Sequence, residues 1–81
     1  MALNYADPDY QEAMRLYLSG EWSEAEAAFA ALKERYSDST FIYLVLGNIH
    51  YSMGNLDSSV AYYDQALEID DPPAIKSADV H

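Results

Sequence analysis

A chain of 81 residues makes one small domain, whose core seldom contributes more than about 3 to 5 kcal/mol, so any apolar surface left uncovered is costly. With 14 Asp plus Glu against 4 Lys plus Arg the formal charge is −10; its field repels phosphate backbones and anionic lipid heads, which excludes nucleic acid and acidic membrane as preferred partners. Cysteine is absent, so neither disulfides nor thiol chemistry contribute.

The opening "MALNYADPDY" lacks the basic and apolar regions of a secretory signal, and the default expectation is a cytoplasmic protein. Asp7 can cap a first helix that has Pro8 at its opening position, where a missing N–H does no harm. Gly20, able to take the left-handed conformation, closes that helix. A second helix is expected to begin at "SEAE", with Ser23 and Glu26 as a capping box. It carries Ala25, Phe29, Leu32 and Tyr36 at helical spacing, until "SDST" (37–40) breaks it.

The third helix is expected from about Ser39 to Met53, closed by Gly54. Its centre, "FIYLVLGNIHY" (41–51), has no polar side at about 100° per residue; only Asn48 and His50 interrupt the apolar circle. The run is well short of the roughly 20 residues a bilayer span requires, so a transmembrane segment is rejected. A fourth helix should run from a cap at Asp57 through Ser59, Tyr63, Ala66 and Leu67 to about Asp70, where Pro72 and Pro73 stop it. The remaining "AIKSADVH" leaves room for a short C-terminal helix, with Ile75 and Val80 as covers for Val60, Leu67 and Ile69.

The chain aligns with itself at an offset of 34, "YLSGEWSEAEAAFAAL" (17–32) over "YSMGNLDSSVAYYDQA" (51–66). Tyr17 falls on Tyr51, Gly20 on Gly54 and Ala27 on Ala61. Ala13/Gly47, Trp22/Leu56, Ala25/Ser59, Phe29/Tyr63 and Leu32/Ala66 keep size or character, so each unit reads as two helices and a tight turn. Small residues at Gly47 or Ala13 let the helices of a unit approach, and Tyr43, Leu46, Phe29 and Tyr63 fill the spaces between.

This pattern resembles the tetratricopeptide repeat (TPR). Tyr43 stands where the family prefers Trp, Leu46 and Gly47 match its Leu-Gly pair, Gly54 marks the turn, and Tyr63, Ala66, "ALEID" and the prolines match its second helix. Ser59 replaces the usual Ala, His50 the usual aromatic, and Asp9 and Glu12 fill places usually aromatic and Leu. The resemblance implies an all-α fold. Two helix-turn-helix units, four antiparallel helices in all, would stack as a short right-handed superhelix within a single domain, 1–81. Repeat 1 would cover about 6–39, repeat 2 about 40–73, and a tail 74–81.

Tyr43, Leu46, Gly47 and His50 should point at the fourth helix, and Ile42 and Ile49 at the first unit. That leaves an arc of Phe41, Leu44, Val45, Asn48, Tyr51 and Ser52. By analogy with the family, this arc would line a concave wall with Tyr10, Met14 and Tyr17. The partner-binding residues expected are Tyr10, Met14, Tyr17, Phe41, Leu44, Val45, Asn48 and Tyr51, an apolar and aromatic surface of the kind that marks a binding site. The tyrosines would supply rigid contact area, Met14 an adaptable one, and Asn48 a bidentate hydrogen bond to a partner's backbone amide.

The function expected is a non-catalytic protein–protein interaction module for an apolar or amphipathic segment, neutral or basic, of another protein. Family members that clamp an acidic C-terminal tail use Lys and Arg on the wall. Here Tyr10 and Leu44 hold the lysine positions, so no such clamp is expected. No metal-ligand spacing, phosphate loop or paired nucleophile occurs, and neither enzymatic activity nor a cofactor is expected. His50 reads as a half-buried packing residue. The alternative is a self-associating scaffold, a homo-oligomer with or without helix exchange, or a chaperone-like subunit of an obligate heterocomplex. It follows from having two units where about three are usually needed.

Overall fold

The computed structural model, which describes residues 3–70, contains four α-helices and no strand among those residues. They are α1 (Pro8–Leu18), α2 (Trp22–Arg35), α3 (Thr40–Ser52) and α4 (Leu56–Asp70). Each packs chiefly on its neighbour in sequence, α1 on α2, α2 on α3 and α3 on α4. The expected C-terminal helix, with Ile75 and Val80, and the stop at Pro72 and Pro73 lie outside the described residues.

The two turns within the hairpins share one set of hydrogen bonds. After α1, the Glu21 N–H donates to the Leu16 carbonyl at 3.0 Å and the Gly20 N–H to that of Tyr17 at 3.2 Å. After α3, Asn55 donates to His50 at 2.8 Å and Gly54 to Tyr51 at 3.0 Å. Both are the paired bonds that satisfy the last carbonyls of a helix when the next residue turns left-handed. Gly20 and Gly54 supply that residue at φ 79° and 84°.

This closure corrects two expected helix starts. Because the turn ends at Glu21, α2 begins at Trp22 and Ser23 already lies inside it; no side chain caps it, and the Ser23/Glu26 box does not form. By the same geometry α4 begins at Leu56, and Asp57 stands in its first turn rather than at its cap. There its charge still favours the helix N-terminus. The cap at α1 is as expected: Asp7 accepts from the Asp9 N–H at 2.9 Å, with Pro8 opening the helix.

The core forms where the two hairpins meet. Phe29, Leu32, Ile42, Leu46 and Ile49 are its largest fully buried side chains, and Ala13 and Ala25 are enclosed beside them. Ile42 and Ile49 therefore join the first hairpin to the second. At Gly47 α3 comes close to α4: a Cβ there would stand 2.6 Å from Cε1 of the Tyr63 ring. Tyr43 and His50 meet Tyr62, with ring centroids 6.2 Å and 5.3 Å away. Thus every side of α3 is covered except one arc, which faces away from both α2 and α4.

Candidate functional site

α1 and α3 meet along one side of the molecule. The rings of Tyr10 and Phe41 lie 6.2 Å apart, and Asn48 Nδ2 donates to the Tyr17 hydroxyl at 3.4 Å. Along this side the open arc of α3 presents Leu44 at 40% exposure and Tyr51 at 64%. Asn48 and Ser52 are exposed, while Phe41, Met14 and Tyr17 are half-buried. Tyr17 rests edge-on against Trp22 and Phe29 at 5.8 and 6.3 Å, which leaves its hydroxyl at the surface beside Asn48.

Two residues expected on this wall are inside it. Tyr10 is 8% exposed and Val45 3%, because both lie at the edge of the open arc, where the neighbouring helix closes over them. Tyr10 packs edge-on to Phe29 at 6.4 Å, and its burial raises the pKa of its phenol. Neither residue offers a partner more than a sliver of surface.

Asn48 is engaged at both ends of its amide. Its Oδ1 accepts from the Tyr63 hydroxyl of α4, and its Nδ2 meets Tyr17 of α1. A bidentate bond to a partner would have to displace Tyr63, so the amide keeps one spare N–H rather than a free donor–acceptor pair.

Two exposed apolar residues adjoin the wall that spacing alone did not single out. Leu18 is exposed and lies four residues after Met14, on the same helix face. Tyr5 is exposed too, and it sits against Tyr10 and Phe41 with centroids at 5.4 and 6.5 Å. It precedes the first helix, where periodicity carries no signal.

Basic side chains among the described residues are already occupied. Arg15 Nε donates to Glu12 at 3.0 Å. Arg35 Nη1 reaches Asp9 at 2.8 Å and its Nη2 the buried Asp7. Lys33 stands over the Tyr62 ring, 5.4 Å from its centroid. The acidic substitutions in α1, Asp9 and Glu12, are thus answered by arginines, and the helix packs through Tyr10, Ala13 and Leu16 instead.

Asp7 is the junction of the first hairpin. Besides capping α1 it accepts from the Tyr36 hydroxyl at 2.7 Å, tying the start of α1 to the end of α2. The Tyr36 hydroxyl, the Asp9 N–H and Arg35 together hold its carboxyl below the usual carboxylate range, against the opposing effect of its burial. His50 is half-buried on Tyr62, its Nε2 3.6 Å from Glu26 Oε2 and its Nδ1 3.4 Å from Asn55 Nδ2. A recess of about 300 Å³ lies away from the α1–α3 wall, between α1 and α2, lined by Ala28, Ala31, Leu32 and Arg35 with Asp9 and Glu12. Among the described residues no three His, Cys, Asp or Glu side chains gather in a way that could hold a metal ion.

The hairpin of α3 and α4, with its close approach at Gly47, coincides with a match to the family model of the tetratricopeptide repeat over residues 41–71. Over those residues the chain is similar to the tetratricopeptide repeat (TPR) family. The TPR match falls on the second hairpin; α1 and α2 precede it and repeat its turn geometry 34 residues earlier. No curated protein and no solved structure matches the chain. TPR units are typically non-catalytic protein–protein interaction modules. No helix among the described residues is long and apolar enough to cross a membrane.

Proposed function

We propose that the α1–α3 wall receives an apolar or amphipathic segment, neutral or basic, of a partner protein. The observation that carries this reading is the open arc of α3: Leu44 and Tyr51 stand exposed on a helix otherwise enclosed on every side. Met14, Tyr17 and Phe41 extend the surface, and Leu18 lengthens it along α1. Tyr51 supplies a large rigid contact with a polar tip, the type of side chain that dominates binding at such surfaces. Val45 and Tyr10 support the wall from beneath.

Charge narrows the partner. The net charge of −10 favours neutral or basic segments and raises their association rate more than their affinity. With Arg15 and Arg35 held by carboxylates, a carboxylate-rich segment would lack charge-assisted partners.

Selection of short displayed peptides on the full chain, followed by titration of the selected sequences, tests this reading. The expected result is neutral or basic apolar sequences whose affinity falls about 30-fold or more on Tyr51→Ala, as for a residue worth roughly 2 kcal/mol in binding. Selected peptides indifferent to both Tyr51→Ala and Leu44→Ala would overturn it. A dimer in sedimentation equilibrium that dissociates on Leu44→Asp would assign the wall to a second copy.

A further inference from the structure

Along α4 runs a second apolar surface, beside the face of that helix packed on α3. Leu56, Val60 and Leu67 are 57%, 57% and 58% exposed, and half-buried Tyr63, whose ring reaches Gly47 and Asn48 of α3, borders the series on the side of that helix. Their spacing of four, three and four residues aligns them in one stripe, roughly 17 Å long at about 1.5 Å per residue. Three large apolar side chains are therefore presented in a row, at nearly equal exposure, beside the face that buries Ser59 and Ala66.

The flank of the stripe defines its occupant. Asp57, Asp64 and Glu68, all exposed, each follow a stripe residue by one position and form a parallel acidic row on one edge. Residues 56–70 contain no Lys, Arg or His to offset them. In an isologous antiparallel pairing of two copies this row would face its own image, and like charges side by side oppose association. The chain's own residues 71–81 bring Asp71 and Asp79 against a single Lys76, a poor complement to the same row. A helix with an apolar stripe bordered by Lys or Arg fits both features at once, burying Leu56, Val60 and Leu67 while pairing the acids.

We infer that α4 is a docking face for an amphipathic, basic-flanked helix of another protein, separate from the α1–α3 wall. The partner helix lies along α4 and extends the stack by one element, with its cations over Asp57, Asp64 and Glu68. The apolar stripe supplies most of the affinity. The acidic row selects the partner and its orientation, and makes binding weaken as salt rises.

The test is anisotropy titration of the full chain against three labelled synthetic 18-residue peptides. One carries Leu at helical stripe positions with Lys alongside, one has Glu in place of Lys, and one has the first peptide's composition with its Leu residues dispersed. The first should bind saturably and the other two at least about tenfold more weakly. Val60→Asp and Asp64→Lys should each weaken the first peptide about tenfold or more, whereas Tyr51→Ala should leave it unchanged. Both changed residues are exposed, and circular dichroism checks that the variants fold. Equal binding of the dispersed peptide, no binding of the first, or loss of its binding on Tyr51→Ala alone would each overturn the inference. So would a wild-type dimer abolished by Val60→Asp, which would give the face to a second copy.

Discussion

The hydroxyl of Tyr36, at the end of α2, donates to the carboxylate of Asp7, which caps the start of α1, across 2.7 Å. One side chain thus terminates a helix and fastens two of them together, since the other Asp7 oxygen takes the Asp9 N–H. The sequence spacing between the two residues gives no hint of this bond.

Acid should expose that bond. The Asp7 carboxyl titrates below its ordinary value because Tyr36, the Asp9 N–H and Arg35 favour the charged form. A depressed folded-state pKa contributes stability that is fully present above the unfolded value of about 4 and is lost as pH falls through the lower folded value. Asp7→Asn should therefore reduce the melting temperature at pH 7 and flatten its decline between about pH 5 and pH 2. Tyr36→Phe should weaken the same acid dependence in part. Thermal melts across that range check both, and an acid limb unchanged in Asp7→Asn would refute the assignment.

Gly47→Ala should cost about 1 to 3 kcal/mol by overpacking, since the new methyl would stand 2.6 Å from the Tyr63 ring. The ring can swing aside only by giving up its bond to Asn48. Combining Gly47→Ala with Tyr63→Ala should cost less than the sum of the single changes, because the second removes the obstacle to the first. Urea denaturation of the four proteins in the cycle measures the coupling; strict additivity would contradict the clash.

The two turn glycines should behave alike for a backbone reason. Gly54 has nothing within 4 Å of an added Cβ, and at Gly20 only Trp22 comes as near as 4.0 Å. Gly20→Ala and Gly54→Ala should each destabilise by about 1 to 2 kcal/mol, the cost of a left-handed residue with a side chain. Chemical denaturation of each variant checks this, and a neutral result at either position would show that its turn adopts another form.

Exposure separates the wall from its support. Tyr51→Ala, at a side chain 64% exposed, should leave folding stability within about 0.5 kcal/mol. Ile49→Ala, at a fully buried side chain two positions away, should cost about 2 to 5 kcal/mol. A large loss of stability in Tyr51→Ala would place its ring in the core and remove it from the wall.

An acidic peptide ending in a free carboxylate should show no saturable binding in anisotropy at low salt. Arg15 is paired with Glu12, Arg35 with Asp7 and Asp9, and Lys33 lies over an aromatic ring. Tight binding would require these pairs to open and would contradict the neutral-or-basic partner.

Much of the fold was legible because it depends on local chemistry. Four helices, the Asp7–Pro8 start, and glycines at both turns follow from caps and left-handed residues, and Gly47 from the repeated need for a close approach. The start of α2 was not: Ser23 and Glu26 have the spacing of a capping box, but the closing bonds of the preceding turn reach Glu21 first and commit Trp22 to the helix. On the wall, periodicity located the arc of Leu44, Asn48 and Tyr51 but could not fix its edges. Tyr10 and Val45 fall where a small rotation of α1 against α3 decides between groove and core. Tyr5, outside any helix, and the Asp7–Arg35–Tyr36 junction arise from tertiary packing, which helical spacing does not encode.

Because each helix rests mainly on those adjacent to it in sequence, the native interactions close short loops. Chains of that topology pay little entropy before their first stabilising bonds form and fold on the microsecond-to-millisecond scale. The α3–α4 pair, with the most extensive interface, is the natural nucleus, onto which α2 and then α1 can be added. Emerging from synthesis, the first hairpin must therefore wait for the second before its core is complete.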